Sequence, residues 1–121
     1  MKNSQQQSSI LIVEDIDWIR FGMKMIVERQ RFQALEATND AAAIARAELE
    51  PIELILTEEE LPTFNILMTR LREHATLSSI PVVIVNPDAE AGARLNDAYL
   101  IPTYEDITSL LTDRQLKEPR L

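Results

Sequence analysis

The sequence predicts a doubly wound α/β fold, with a five-stranded parallel sheet carrying helices on both faces. Two observations point to it. Short apolar runs and helical periodicities alternate five times along the chain, the pattern of a parallel α/β sheet. Three of the runs, Ile10–Val13, Leu54–Leu56 and Val82–Val85, are apolar throughout, as strands covered on both faces must be.

The elements follow in order. Residues 1–9, rich in Gln and Ser, read as a flexible leader without the apolar region of a signal peptide. A single domain then spans 10–117, with a short tail at 118–121. After the first strand, Asp17 is placed to cap a helix that carries Ile19, Met23 and Ile26 on one face and runs to about Arg29. Phe32–Ala37 alternates apolar with polar residues, which suits an edge or half-exposed strand. Asn39 or Asp40 caps an Ala-rich helix that Pro51 follows. Thr63 caps a third helix, whose Phe64, Leu67 and Leu71 have the spacing of a buried stripe. The fifth strand lies within Asp97–Pro102. Thr103 with Asp106 three residues on gives a weak version of a capping box for the last helix.

Composition excludes several function classes. The chain has 121 residues, 45% of them apolar and 26% charged, which is globular composition and enough for one buried core. A net charge of −8 argues against direct nucleic-acid binding, which depends on Lys and Arg neutralising phosphates. No apolar run approaches the ~20 residues of a membrane-spanning helix. The chain holds no Cys, which rules out disulfides and thiolate chemistry and agrees with a reducing, cytoplasmic location. Gly22 and Gly92 are its only glycines, so no Gly-rich phosphate loop exists. His74, the single His, has no Ser or Cys arrangement around it and reads as the end of the third helix, where the dipole suits it. Met23 and Met25 read as helix packing. Trp18, beside an acidic pair, reads either as a contact surface or as packing at a helix start.

The most informative stretch is Leu54-Ile55-Leu56-Thr57-Glu58-Glu59-Glu60-Leu61-Pro62, a strand that ends in three carboxylates. A second acidic pair, Glu14-Asp15, follows Ile10–Val13. In open parallel sheets the carboxyl ends of the strands form the ligand-binding edge, so Glu14, Asp15 and Glu58 describe an acidic pocket there. At an effective dielectric of 20, two unit charges ~4 Å apart repel by about 4 kcal/mol. A cation, an Arg, a shifted pKa or separation has to relieve that repulsion. Ligation of a divalent cation by Glu14, Asp15 and Glu58 is one expectation, and a solvated acidic rim with one carboxyl protonated is the other. Glu59 and Glu60 read as solvated loop charges.

Between Ile10 and Leu111 these motifs resemble the receiver domain of two-component response regulators. That family carries an acidic pair after the first strand, a phosphoacceptor Asp after the third, a small hydroxyl residue after the fourth and a Lys after the fifth. Glu14-Asp15 matches the first element, and Arg20 sits where the first helix often carries an Arg. Glu58 falls at the phosphoacceptor position, Asn86 at the hydroxyl position and Pro102 at the Lys position. Tyr99 occupies the family's signalling aromatic position. The resemblance implies a flavodoxin-like sheet of order 2-1-3-4-5. It implies an aspartyl-phosphate chemistry aided by Mg²⁺ and Lys, which this chain has lost at three positions. Phosphoryl transfer is mainly positioning and charge stabilisation. Glu58 displaces the attacking oxygens by roughly an ångström, an error that can cost ~10²-fold.

The expected protein is therefore a degenerate receiver, or pseudo-receiver: not an enzyme, without a required cofactor beyond weak Mg²⁺ binding. It signals independently of phosphorylation by binding a protein partner, with a homodimer as one form. Glu58 reads either as a mimic of phospho-Asp or as drift in a disused site. Asn86 and Tyr99 are only 13 positions apart, shorter than the family pattern, with Pro87 and Gly92 between them. Because helices average ~11–12 residues, the fourth helix is expected to be shortened or absent. The space it leaves supports the alternative function, sensing of a small ligand or redox metabolite.

Overall fold

Alternate side chains of a strand point to opposite faces, so a strand apolar at every position needs a helical layer on each side. β1 (Ser9–Val13), β3 (Leu54–Glu58) and β4 (Val82–Val85), apolar apart from Ser9, Thr57 and Glu58, are covered on both faces in the computed structural model, which describes residues 9–90, 92–95 and 97–117. Leu11, Val13, Ile55 and Ile84 point to one layer; Ile10, Ile12, Leu56 and Val83 point to the other. Helices α2 (Asp40–Leu49) and α3 (Phe64–Glu73) cover the first layer through Ala43, Ala47, Phe64, Leu67 and Leu71. Helices α1 (Asp17–Arg29) and α4 (Glu105–Lys117) cover the second through Met23, Val27, Ile107 and Leu111. Each fully buried aliphatic side chain contributes roughly 1.5–3 kcal/mol, so the two layers dominate stability. Among the described residues no helix is long and apolar enough to cross a membrane.

The sheet is completed by β2 (Gln33–Ala37), by β6 (Ala98–Ile101) and by a two-residue strand, β5 (Arg94–Leu95). Its order is β2-β1-β3-β4-β6-β5, parallel except for the β5–β6 pair. The 2-1-3-4-5 core expected from sequence is present, with β2 at an edge. The expectation of five all-parallel strands is corrected by β5, which adds an antiparallel sixth. Gly92 adopts φ +83°, a conformation open mainly to glycine, where the chain turns back. Arg94 then pairs with Tyr99 and Leu95 with Ala98. No helix occupies the described part of this segment.

Several local expectations need correcting. Ser9, assigned to the leader, is the buried first residue of β1, and its hydroxyl donates to Gln33 Oε1 at 3.2 Å. Residues 1–8 of that leader and the tail 118–121 lie outside the described residues. Asp17 does not cap α1. Ile16 takes the cap position, and the Asp17 carboxylate instead accepts from Arg20 Nη2 at 2.7 Å within the first turn. Thr63 stands at the N-cap of α3, where its carbonyl accepts from the Leu67 N–H at 2.9 Å, but its side chain makes no bond to that helix; the hydroxyl accepts from the Asp40 N–H at 3.1 Å, serving the start of α2. Asn39 caps α2 as expected, accepting from the Ala42 N–H at 2.9 Å. The Thr103–Asp106 box forms in both directions, at 3.2 and 3.3 Å. His74 ends α3, bonding Glu48 at 2.9 Å through Nε2 while Nδ1 accepts from the Thr76 and Leu77 N–H groups.

The α1–β2 connection is only three residues long. The Arg31 N–H bonds the Glu28 carbonyl at 3.0 Å, and the Phe32 N–H bonds the Val27 carbonyl at 3.4 Å. These are the paired bonds of a Schellman ending, with Phe32 and Val27 buried in the same cluster. Arg31 pays for it with φ 68°. Left-handed backbone costs a residue bearing a Cβ roughly 1–2 kcal/mol, and glycine's unfolded-state entropy returns part of that. Arg31→Gly should therefore raise stability by about 0.5–1 kcal/mol in urea unfolding. A lowered midpoint would refute the strain argument.

Candidate functional site

The carboxyl ends of β1 and β3 bring Glu14 and Glu58 together at the edge expected from sequence. The Glu14 N–H extends the sheet ladder by one bond, to the Ala37 carbonyl at 3.0 Å. That extra step draws its side chain inside, and Glu14 is fully buried at 0% exposure. Oε2 accepts from the Ile16 N–H at 2.9 Å, whereas Oε1 is buried with no hydrogen-bond partner. Thr57, buried beside it on β3, is satisfied by the Val13 carbonyl at 2.9 Å.

Burial pushes the Glu14 carboxyl up to about 8; the Ile16 N–H opposes the rise, while Glu58 and Asp15 add to it. Glu14 therefore holds a proton at neutral pH. The repulsion expected among the acidic residues is relieved at this one carboxyl. Arg20 does not neutralise it. The guanidinium donates to the main-chain carbonyl of Glu14 at 2.9 Å and pairs with Asp17 and Glu36, at 2.7 and 3.0 Å.

Glu58, half-buried at the end of β3, has a partner that no sequence motif marked. Tyr104, just before α4, donates its hydroxyl to Glu58 Oε2 at 2.5 Å. Burial and the Glu58 carboxylate raise the phenol pKa well above its usual range, so it remains a donor. Tyr104 lies 46 positions from Glu58 and follows no helix or strand period, which is why sequence reasoning missed it. The Asn86 amide turns away to donate to Glu59 Oε1, and its own oxygen accepts from the Asp88 N–H at 2.9 Å. Asp15 is exposed.

Pro102 lines a groove of about 430 Å³ beside α4, together with Leu54, Ile101 and Leu110. Tyr99 is 44% exposed and lies under the Arg94 guanidinium, 4.3 Å from ring centre to Cζ. Thus Glu14, Glu58 and Tyr104 form one group, Asn86 and Glu59 a neighbouring pair, and Tyr99 a separate surface.

A divalent cation fits this group poorly. Among the described residues no cluster of three His, Cys, Asp or Glu is arranged to hold a metal ion. A protonated Glu14 offers no anionic ligand, and Tyr104 already holds one Glu58 oxygen. The expected Glu14–Asp15–Glu58 ligand set is not assembled.

Compared by sequence, the chain matches no protein-family model and no curated protein. Solved structures are similar in fold. A sensor protein from Polaromonas sp. is 22% identical with a TM-score of 0.73, covering 90% of this chain and 95% of its own. The receiver domain of a Pseudomonas aeruginosa sensor histidine kinase, solved with magnesium coordinated in its active-site cleft, is 18% identical with a TM-score of 0.72; coverage is 89% and 97%. The signal receiver domain of a histidine kinase from Syntrophus aciditrophicus is 20% identical with a TM-score of 0.68, over 94% and 96%. The chain has the receiver-domain fold.

In this receiver fold the Glu14 proton gives stability a defined pH dependence. Between the unfolded carboxyl value of 4.5 and the folded value of about 8, the folded state binds the extra proton. Stability therefore falls as pH rises through that window and levels off above it. The loss should be on the order of a few kcal/mol. Glu14→Gln should remove most of the slope and unfold at higher denaturant than the parent at pH 8.5. Urea unfolding at pH 5, 7 and 8.5 checks both, and an unchanged slope in Glu14→Gln would show that another group is responsible. Tyr104→Phe should lower stability in urea unfolding by about 0.5–1.5 kcal/mol, from the missing hydrogen bond to Glu58.

Proposed function

We propose that this protein is a phosphorylation-independent signalling module that acts by binding another protein. The observation that carries the reading is the state of Glu58. The carboxylate at the phosphoacceptor position is held by the Tyr104 hydroxyl and stands beside a buried, protonated Glu14. Phosphoryl transfer needs a free nucleophile and positive charge around the transferring group. Here Pro102 stands at the Lys position, the Asn86 amide serves Glu59, and Arg20 is committed to a main-chain carbonyl and two other acids. The Glu58–Tyr104 bond joins the end of β3 to the start of α4 without a phosphate, which supports a single standing state.

A protein-binding role is supported by the exposed apolar residues Trp18 (76%) and Phe21 (60%) on α1. The purified protein should gain no mass on incubation with acetyl phosphate and Mg²⁺, read by intact-mass spectrometry. One phosphoryl group on Glu58, Asp15 or Glu14 would overturn the reading.

One observation favours a second reading, a sensor of a small ligand or redox metabolite. Where the described residues between β4 and β6 carry no helix, a groove of about 610 Å³ opens between α3 and β6, lined by Met68, Leu71, Arg72, Ile80, Arg94 and Tyr99. That volume lies within the ~300–1,000 Å³ of small-molecule sites. Native mass spectrometry of gently purified protein separates the two readings. A stoichiometric small-molecule adduct, abolished by Ala98→Trp, would replace the first reading with the second.

A further inference from the structure

The short strand β5 sets an arginine on the rim of the groove between α3 and β6. After Gly92 the chain turns back, the Leu100 N–H bonds the Ala93 carbonyl at 3.0 Å, and Arg94 comes to lie directly across from Tyr99. Cross-strand neighbours are close enough for long side chains to meet. The guanidinium accordingly stacks on the Tyr99 ring, 4.3 Å from its centre, and Nη2 donates to the Asp97 carbonyl at 3.0 Å. Stacking occupies the face of a guanidinium and leaves the N–H donors along its edge for planar acceptors. The ring and the carbonyl hold that edge in one orientation, with donors to spare.

Arg72 lines the same groove from α3. Carboxylates outnumber cations in this chain, 20 Asp and Glu against 12 Lys and Arg. Among the described residues ion pairs take Arg20, Arg46, Arg70 and Arg114, yet neither Arg72 nor Arg94. Both are exposed. Between them the lining is apolar, with Met68, Leu71 and Ile80. The groove beside α4 is the opposite case. Asp106 and Asp113 line it, and its Arg114 is bound to Glu53 at 3.1 Å. An anion finds unpaired guanidinium groups only in the first groove.

We propose that the groove between α3 and β6 takes a small organic anion, its acid group on Arg72 and Arg94 and its apolar body against Met68, Leu71 and Ile80. This rests on the small-ligand reading of the groove and names the class of ligand. Charge-assisted hydrogen bonds from a guanidinium to a carboxylate, sulfonate or phosphate are roughly twice as strong as neutral ones. A concave site of about 610 Å³ suits a small molecule. The large rings that would anchor a protein partner, Trp18 and Phe21, stand on α1 instead. Asp97 is the one carboxylate among the lining residues, and its charge opposes an anion.

Fluorescence titration of the full chain with anilinonaphthalenesulfonate, and with the uncharged phenylnaphthylamine, tests it. The sulfonate should bind at a single site with a dissociation constant on the order of 10–100 μM, and the amine about tenfold more weakly. Arg72→Gln and Arg94→Gln should each weaken the sulfonate about tenfold and leave the amine unchanged. Asp97→Asn should tighten the sulfonate a few-fold. All three side chains are exposed, and thermal melts confirm that the variants fold. An amine that binds as tightly as the sulfonate, or sulfonate binding indifferent to both Arg variants, overturns the proposal. The small-ligand reading then still stands or falls on its own adduct in native mass spectrometry. Sulfonate binding that weakens as protein concentration rises would put a second copy of the chain in the groove, and absence of binding by either probe would leave the guanidinium groups without a ligand; each equally overturns it.

Discussion

Burying a parallel sheet on both faces is the constraint from which the rest of this structure follows. Inside two helical layers, backbone polar groups are satisfied only by the ladder, and the chain can change direction only at strand ends. All parallel strands therefore release their loops at one edge, where β1 and β3 deliver their acidic residues. β1 lies between β2 and β3, so the ladder continues to the Glu14 N–H before the chain escapes. A carboxyl is thereby drawn into a place that cannot solvate its charge. Its elevated pKa is a consequence of topology first and of its acidic neighbours second.

A proton then does part of what a cation would do elsewhere. Two carboxylates at the same edge need positive charge between them, and the chain has only three Lys, at positions 2, 24 and 117. Lys24 lies 3.5 Å from Glu36, away from the edge, and Arg20 reaches only the backbone of Glu14. Among the described side chains, protonating Glu14 is the remaining route, and it leaves Glu58 as the carried charge. Tyr104 supplies the donor that stabilises that charge. Glu58 can then serve as a permanent link between β3 and α4, although a single carboxylate has fewer acceptor oxygens and less charge than a phosphate.

Much of this was legible in the sequence, in proportion to how local each signal is. The strands β1, β3 and β4 were readable from their apolar runs, and the α3 stripe from Phe64, Leu67 and Leu71. Glu14 and Glu58 were readable as a pair because strand ends in such sheets converge. Caps were less secure. Asp17 and Thr63 have cap-forming side chains, but Arg20 and the Asp40 N–H compete for them, and both partners come from the folded arrangement. β5 was missed because two residues, Arg94 and Leu95, are too few for any period to register. Tyr104 was missed because its meaning depends on Glu58, far away in the chain. The exposed apolar residues of α1 were visible only in part, as Trp18; their exposure became meaningful once Met23 and Val27 defined the inner face.

Charge sets a condition on any self-association of this chain. Two copies at −8 each repel as wholes, but a domain of this size has a radius of gyration near ~13 Å, so their centres remain far apart compared with a Debye length of ~8 Å at physiological salt. That long-range repulsion is therefore mostly screened. Exposed ion pairs such as Asp17 with Arg20 contribute only about 0–1 kcal/mol each and weaken with the same salt. Neither charge effect decides affinity at physiological ionic strength. Exposed apolar residues such as Trp18, Phe21 and Met25 would have to supply it.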